Sequence, residues 1–232
     1  MHPEWLSNAY LVAAAVGGPA AFVDSGAPIE PLLDAVVKHD LRPTHLLTTH
    51  GDHDHVAGHE RLLEEFDLDV LAHPADSVEG ATDLEHGTVL EIGDLRVEAL
   101  HTPGHSPGHL AFLADGACFT ADVLFRDAVG GTRTGFDQVR TSVMDVLMQL
   151  PSETVVYPGH TEETTIGREW EQNPFVRVWR GLEPEREEPC RVAGEDATIV
   201  VWSPDYDGKG KAWVRFADGR NVIVGGSAIE RF

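Results

Sequence analysis

Short apolar runs alternate with turn-forming clusters along the chain, and the period of the apolar positions changes as it proceeds. Residues 10–16 and 20–23 are apolar on either side of Gly17-Gly18-Pro19, which predicts a β-hairpin. Behind Pro28, the positions Ile29, Leu32, Leu33, Val36 and Val37 follow helical spacing. Residues 44–48 then read as a short buried strand running into a histidine-rich loop, residues 60–66 as a helix and residues 69–72 as another strand. Such alternation predicts sheets covered by helices, an α/β class.

Between residues 89 and 121 the turn pairs Gly93-Asp94, Pro103-Gly104 and Asp115-Gly116 divide the chain into four strands of an antiparallel meander. Residues 136–150 return to helical spacing, and residues 155–157 make one more strand before Pro158-Gly159-His160. The polar, proline-containing stretch 181–189 predicts a linker. Beyond it, residues 197–202, 211–216 and 221–224 are strand-like and separated by Asp-Gly turns. A first domain over residues 1–183 and a small all-β barrel over residues 184–232 are therefore expected.

Charge narrows the partners. The chain carries 17 Lys+Arg against 39 Asp+Glu, a net −22, and such a surface repels phosphate backbones and anionic lipid heads. Neither nucleic acid nor membrane is expected as a partner. The apolar run 9–16 is too short to span a bilayer, and no basic residue precedes Lys38, so neither a membrane span nor a signal peptide is expected. Cys118 and Cys190 stand in unrelated contexts and suggest neither a disulfide framework nor a cysteine zinc site. A cytoplasmic location follows as the default.

Thirteen histidines are many for 232 residues, and their placement matters more than their number. The loop Thr49-His50-Gly51-Asp52-His53-Asp54-His55 offers five metal-ligand types within six positions. Standing alone, such a loop is as well explained as a solvated polar turn. It is joined by His105 in Thr102-Pro103-Gly104-His105-Ser106-Pro107-Gly108-His109, by Asp122 in Phe119-Thr120-Ala121-Asp122, and by His160 in Tyr157-Pro158-Gly159-His160. Each follows a strand-like run, and residues at the ends of separate strands can converge on one pocket. Mixed imidazole and carboxylate donors suit Zn, Fe or Mn.

In these segments the sequence resembles the metallo-β-lactamase superfamily, whose loop His-x-His-x-Asp-His is followed in order by a lone His, a bridging Asp and a last His. The resemblance spans roughly residues 9–175 and is closest to glyoxalase II-like hydrolases, through the Thr-Pro-Gly-His-x-Pro-Gly-His run, the stretch from Tyr157 through Thr164-Thr165-Ile166-Gly167, and Asn173-Pro174-Phe175. It implies a four-layer αββα sandwich, here followed by the small barrel. It also implies His50 and His105 on one metal, Asp54, His55 and His160 on a second, and Asp122 bridging. The family's second His is Asp52 here, expected as a first-metal ligand, with His53 as the rival. The added carboxylate lowers the net charge of the centre and favours Fe or Mn relative to Zn.

The activity implied is hydrolysis of a thioester, a hydroxyacyl-thiol of the glyoxalase II type, by a hydroxide shared between two divalent ions, with Asp54 orienting it. The thiolate then leaves with little need of a proton. Arg126, Arg133 and Arg168 are candidates for gripping a carboxylate of the thiol, with ordinary surface cations as the alternative. Related sequences tend to carry Gly-Arg-Thr where this one has Gly130-Gly131-Thr132, so a substrate-positioning arginine has either moved to Arg133 or been lost; Thr165 is a further substrate-binding candidate. His109 is expected as a packed or supporting histidine, and His45, His59, His73, His86 and His101 receive no role. Three alternatives remain: a mononuclear iron persulfide dioxygenase on His50, His105 and Asp122 or another oxidoreductase of the fold, a lactone or other ester hydrolase, and a non-catalytic metal protein. In the last, the barrel would bind a protein partner or a second copy, a homo-oligomer.

Overall fold

The computed structural model describes residues 6–232 and contains three large sheets and a two-stranded ribbon. The first is built from β1 (Tyr10–Ala13), β2 (Pro19–Val23), β3 (Arg42–Leu47), β4 (Asp69–Ala72) and β5 (Thr82–Asp83), side by side in that order. The first pair is the expected antiparallel hairpin, with Leu11 opposite Phe22. The remaining neighbours are parallel, which requires crossovers. The first two are supplied by α1 (Glu30–Lys38), started by Pro31 in its first turn, and by α2 (His53–Val56) with α3 (His59–Glu65); β4 reaches β5 through a 3₁₀ turn, Pro74–Asp76.

The second sheet holds the meander β6 (Val89–Ile92), β7 (Leu95–His101), β8 (Leu110–Ala114) and β9 (Ala117–Ala121). A two-residue ribbon, β10 (Leu124–Phe125) with β11 (Ala128–Val129), leads out of it. The sheet is then extended by β12 (Val155–Pro158), parallel to β9, and β13 (Thr164–Thr165), giving the order β13-β12-β9-β8-β7-β6. Three helices cover its outer face: α4 (Phe136–Thr141), α5 (Ile166–Gln172) and α6 (Pro174–Trp179). The helical stretch expected over residues 136–150 is regular only through Thr141; a wide π-type turn and a tight 3₁₀ turn follow it.

Side-chain alternation puts the layers together. Ala21, Val23, Leu47 and Leu71 of the first sheet meet Leu110 and Phe112 of the second across the middle of the sandwich. The intervening Phe22, Leu46 and Val70 point the other way, onto Ile29 and Val36 beside and within α1 and Leu62 of α3. On the far side Leu100, Ala111, Cys118 and Val156 pack beneath the second set of helices. The layers are thus α, β, β, α, and burial on both faces accounts for the nearly continuous apolar strands.

The chain ends in a five-stranded antiparallel sheet of β14 (Glu188–Val192), β15 (Glu195–Ser203), β16 (Lys211–Phe216), β17 (Asn221–Gly225) and β18 (Ile229–Arg231), ordered β17-β16-β15-β14-β18. The small barrel expected there is a curled half-barrel: among the described residues β17 and β18 are its free edges. The stretch before it is exposed and irregular over residues 181–187, with Arg186 N–H donating to Val200 O, and β14 begins at Glu188. One face of this sheet buries Cys190, Ile199 and Val214. Past a bulge between Ile199 and Val201, the other face sends Val201, Trp213 and Ile223 into the core beneath the second set of helices.

Trp213 is the joint. Its ring lies 4.8 Å from Phe136 and 6.4 Å from Trp179, and its Nε1–H donates to Asn221 Oδ1 at 2.8 Å. Trp213→Ala is expected to cost about 3–5 kcal/mol. Because the half-barrel and the helices share this core, the loss should appear in urea unfolding as one transition at a lower midpoint, with the half-barrel and the sandwich melting together.

Candidate metal centre

Five chain segments end at one rim of the sandwich. The loop after β3 carries His50 and Asp52, and α2 carries Asp54 and His55; the turn between β7 and β8 carries His105, the residue after β9 is Asp122, and the residues after β12 lead to His160. Asp24, just past β2 with a left-handed φ of 56°, ties the first loop together. Its carboxylate accepts from Thr49 N–H (2.8 Å), from Thr49 Oγ1–H (2.7 Å) and from His55 Nδ1 (2.8 Å). The loops close tightly. A Cβ on Gly159 would sit 2.3 Å from Asp122 Oδ1 and 2.7 Å from His55 Cε1, so only glycine lets the last strand bring His160 in.

The four ring systems are presented in the same way. His50 Nδ1 meets Thr49 Oγ1 (3.0 Å), His55 Nδ1 meets Asp24, His105 Nδ1 meets Gly131 O (3.1 Å) and His160 Nδ1 meets Leu6 O (3.0 Å). Each Nε2 therefore points inward. His55 Nε2 lies 3.3 Å from Asp122 Oδ1; His160 and His105 Nε2 lie 3.4 and 3.6 Å from Asp122 Oδ2. Asp52 Oδ2 stands 3.5 Å from His50 Nε2 and 3.3 Å from His105 Nε2, and Asp54 Oδ2 stands 3.5 Å from His160 Nε2. Three groups of mutually close donor atoms result: His50 with Asp52 and His105; Asp54 with His55 and His160; and His50 with His55 and Asp122.

These spacings are long for hydrogen bonds and right for ligands. Two atoms each about 2.1 Å from a tetrahedral cation lie roughly 3.4 Å apart. His50 Nε2, His55 Nε2 and Asp122 Oδ1 are moreover buried with no hydrogen-bond partner, a cost that a cation among them would remove. Nitrogen and oxygen donors without sulfur fit Zn, Fe or Mn.

Electrostatics follow from this crowding. Burial, then the neighbouring His55, pushes His50 below its ordinary value. Burial opposes the charge on Asp122, but His160 and His55 outweigh it and hold the carboxyl well below the usual range. Asp52 is likewise held low, because hydrogen bonds from His105, His50 and Arg133 exceed the effect of its partial burial.

The remaining sequence candidates have distinct partners. Asp52 joins His50 and His105, whereas His53 is exposed and belongs to none of the three groups. His109, fully buried, meets Thr102 Oγ1 through Nδ1 (2.8 Å) and accepts from Asp122 N–H through Nε2 (3.2 Å), so it supports the backbone of Asp122. Arg133 contacts Asp52 at 2.9 Å. Arg126 pairs with Glu162, Arg168 forks onto Asp127, and Thr165 caps α5 by accepting from Arg168 N–H. Two residues escaped sequence reasoning. Asp24 had as its one signal a polar residue closing an apolar strand; Tyr206 of the half-barrel, whose ring stacks on His160 at 4.1 Å and 7°, had none.

The sequence profile of the metallo-beta-lactamase superfamily matches residues 2–160. The chain belongs to this superfamily. It is 30% identical over 185 residues to the hydroxyacylglutathione hydrolase GloC of Haemophilus influenzae, covering 68% of this chain and 87% of that one. Among solved structures of the superfamily, ETHE1 from Myxococcus xanthus is similar with a TM-score of 0.66 at 28% identity, over 79% of this chain and 89% of that one. TTHA1623 in a di-iron-bound form is similar with a TM-score of 0.64 at 35% identity, over 75% and 97%. Superfamily members bind divalent metals, and the match ends at His160, before the half-barrel begins.

Asp24→Asn keeps a residue that tolerates the left-handed backbone while removing the charge behind His55. Metal affinity should fall about 10–100-fold, read by chelator competition. His59 lies between Ser25 Oγ (2.7 Å) and Thr48 Oγ1 (2.8 Å), and burial pushes its imidazole down to about 4. The unfolded chain takes up this proton near pH 6.5 and the folded one only near pH 4. Stability is thus complete above pH 6.5 and lost by about 3 kcal/mol as the pH falls through that window. In chelator-stripped protein, urea unfolding of His59→Gln between pH 7 and 4 should show a flatter acid limb.

Proposed function

We propose that the protein is a dinuclear metal-dependent hydrolase that cleaves the thioester of a small hydroxyacyl-thiol. The observation that carries this reading is the position of Asp122, whose two oxygens face histidines of both candidate ligand groups, Oδ1 towards His55 and Oδ2 towards His105 and His160. A carboxylate so placed suits a bridge, with His50, Asp52 and His105 on one side and Asp54, His55 and His160 on the other. Similarity to a hydroxyacylglutathione hydrolase supports the acyl-thiol class of substrate.

Two divalent ions held by these residues supply an acidified water and a Lewis-acid contact for the substrate carbonyl. The chain's own contribution is placement. Asp54, with its carboxylate half-exposed beside His160, orients the attacking water. Thr49, Asp24, Gly131 and Leu6 fix the imidazole rings, so that no reorganisation accompanies the reaction. Water adds its oxygen to the acyl carbon, the carbon–sulfur bond breaks, and the sulfur departs as thiolate because thiols are acidic enough to leave unprotonated. The products are a carboxylate and a thiol.

Similarity to ETHE1 favours a second reading, a persulfide dioxygenase using one iron on His50, His105 and Asp122. The complete set Asp54, His55 and His160 speaks for the dinuclear hydrolase. Under the proposal the net charge of −22 accords with a small-molecule substrate and a cytoplasmic setting, and residues 184–232 form a second module that shares a core with the hydrolase domain, residues 1–183. No helix among the described residues is long and apolar enough to cross a membrane.

Metal counting combined with turnover of a thioester panel tests the proposal. Two metals per chain and thioester hydrolysis are expected, with His55→Ala and Asp122→Ala each lowering kcat/KM roughly a hundred-fold or more while the circular dichroism stays native. One iron per chain, oxygen uptake with a persulfide and no thioester cleavage would overturn it.

A further inference from the structure

Asp52 stands where the superfamily loop has a neutral imidazole, and the substitution adds a negative charge at a charge-sensitive point. The structure places a cation directly behind it. Arg133 Nη2 lies 2.9 Å from both carboxylate oxygens of Asp52. Its Nε–H donates to His105 O at 2.8 Å, so one guanidinium grips the side chain of one candidate ligand and the backbone of another.

Arg133 is held there by its own backbone. Its N–H and that of Thr134 both donate to Gly104 O, at 3.0 and 3.1 Å. The preceding Thr132 forms a two-way ladder with Ile223 of the half-barrel: Thr132 N–H donates to Ile223 O at 2.9 Å, and Ile223 N–H donates to Thr132 Oγ1 at 2.8 Å. The arginine therefore hangs from a loop clamped between the His105 turn and β17.

We propose that Asp52 and Arg133 act as one electrically neutral ligand unit that takes the place of the imidazole, with the half-barrel holding the arginine in register. The side-chain count supports it. Asp52, Asp54 and Asp122 give −3 against +4 from two divalent ions, a centre of +1; an imidazole at position 52 would leave +2, and Arg133 restores +2. The carboxylate's excess charge is then cancelled locally, and the Lewis acidity of the pair of ions is preserved despite the exchanged donor. The inference rests on the dinuclear reading above.

Zinc affinity, measured by competition with a chromophoric chelator and accompanied by metal counting, tests it without reference to turnover. In Asp52→His the guanidinium loses its carboxylate and faces the cations unpaired, so affinity should drop about ten-fold or more. Adding Arg133→Met should restore affinity to within a few-fold of wild type. The same pair of measurements on Asp52→Asn, which keeps the shape of the side chain, serves if the histidine variant does not fold. A double variant that binds no tighter than the single one, or an Asp52→His chain that already binds like wild type, would overturn the neutral unit. Wild-type protein that binds no zinc, manganese or iron would instead overturn the metal-centre reading itself, and the unit with it.

Discussion

The structure depends on one unfavourable arrangement: imidazole nitrogens and carboxylate oxygens are forced together at the rim of a sandwich, and three of them are buried without a partner. Left alone, such groups would turn toward water. They are prevented from doing so because every inward nitrogen has its opposite ring nitrogen fastened to a carbonyl, a hydroxyl or the Asp24 carboxylate. The αββα layers provide that fastening. Each ligand-bearing segment leaves a strand buried on both faces, so its end is fixed by core packing on the order of 25 cal/mol per Å² of apolar surface. The cost of the unpaired donors falls on the core and is recovered when a cation binds.

Most of the sandwich was legible in the sequence, for reasons specific to its strands. The first hairpin has apolar runs split by Gly17-Gly18-Pro19, and the meander is marked at Gly93-Asp94 and Asp115-Gly116, where turn chemistry is unambiguous. The polar, proline-containing stretch is exposed and irregular over residues 181–187, and β14 begins at Glu188. The stretch after Thr141 has helical spacing, yet a wide π-type turn over Ser142–Val146 and a 3₁₀ turn over Leu147–Gln149 interrupt it, while Val143 and Leu147 still reach the shared core.

The candidate site was legible to a similar depth. Residues of the inner set follow strand-like runs and turn pairs, so their order could be read. Residues acting behind them could not: Asp24 lies about 30 positions from the ring it fastens, and nothing near Tyr206 hints that it covers His160. The choice between Asp52 and His53 illustrates the difference. Adjacent in sequence, they part because Asp52 precedes α2 in an extended conformation and can face His50 and His105, whereas His53 opens the helix on its exposed side.

The half-barrel touches opposite flanks of the cleft, through the Ile223–Thr132 ladder beside one donor set and through Tyr206 on the ring of the other. A segment pinned at both flanks cannot swing away without disturbing both. By reciprocity, whatever the ions gain from a seated tail, the tail gains from the ions. On the proposed reading, protease resistance of residues 184–232 would therefore rise as the cleft fills with cations.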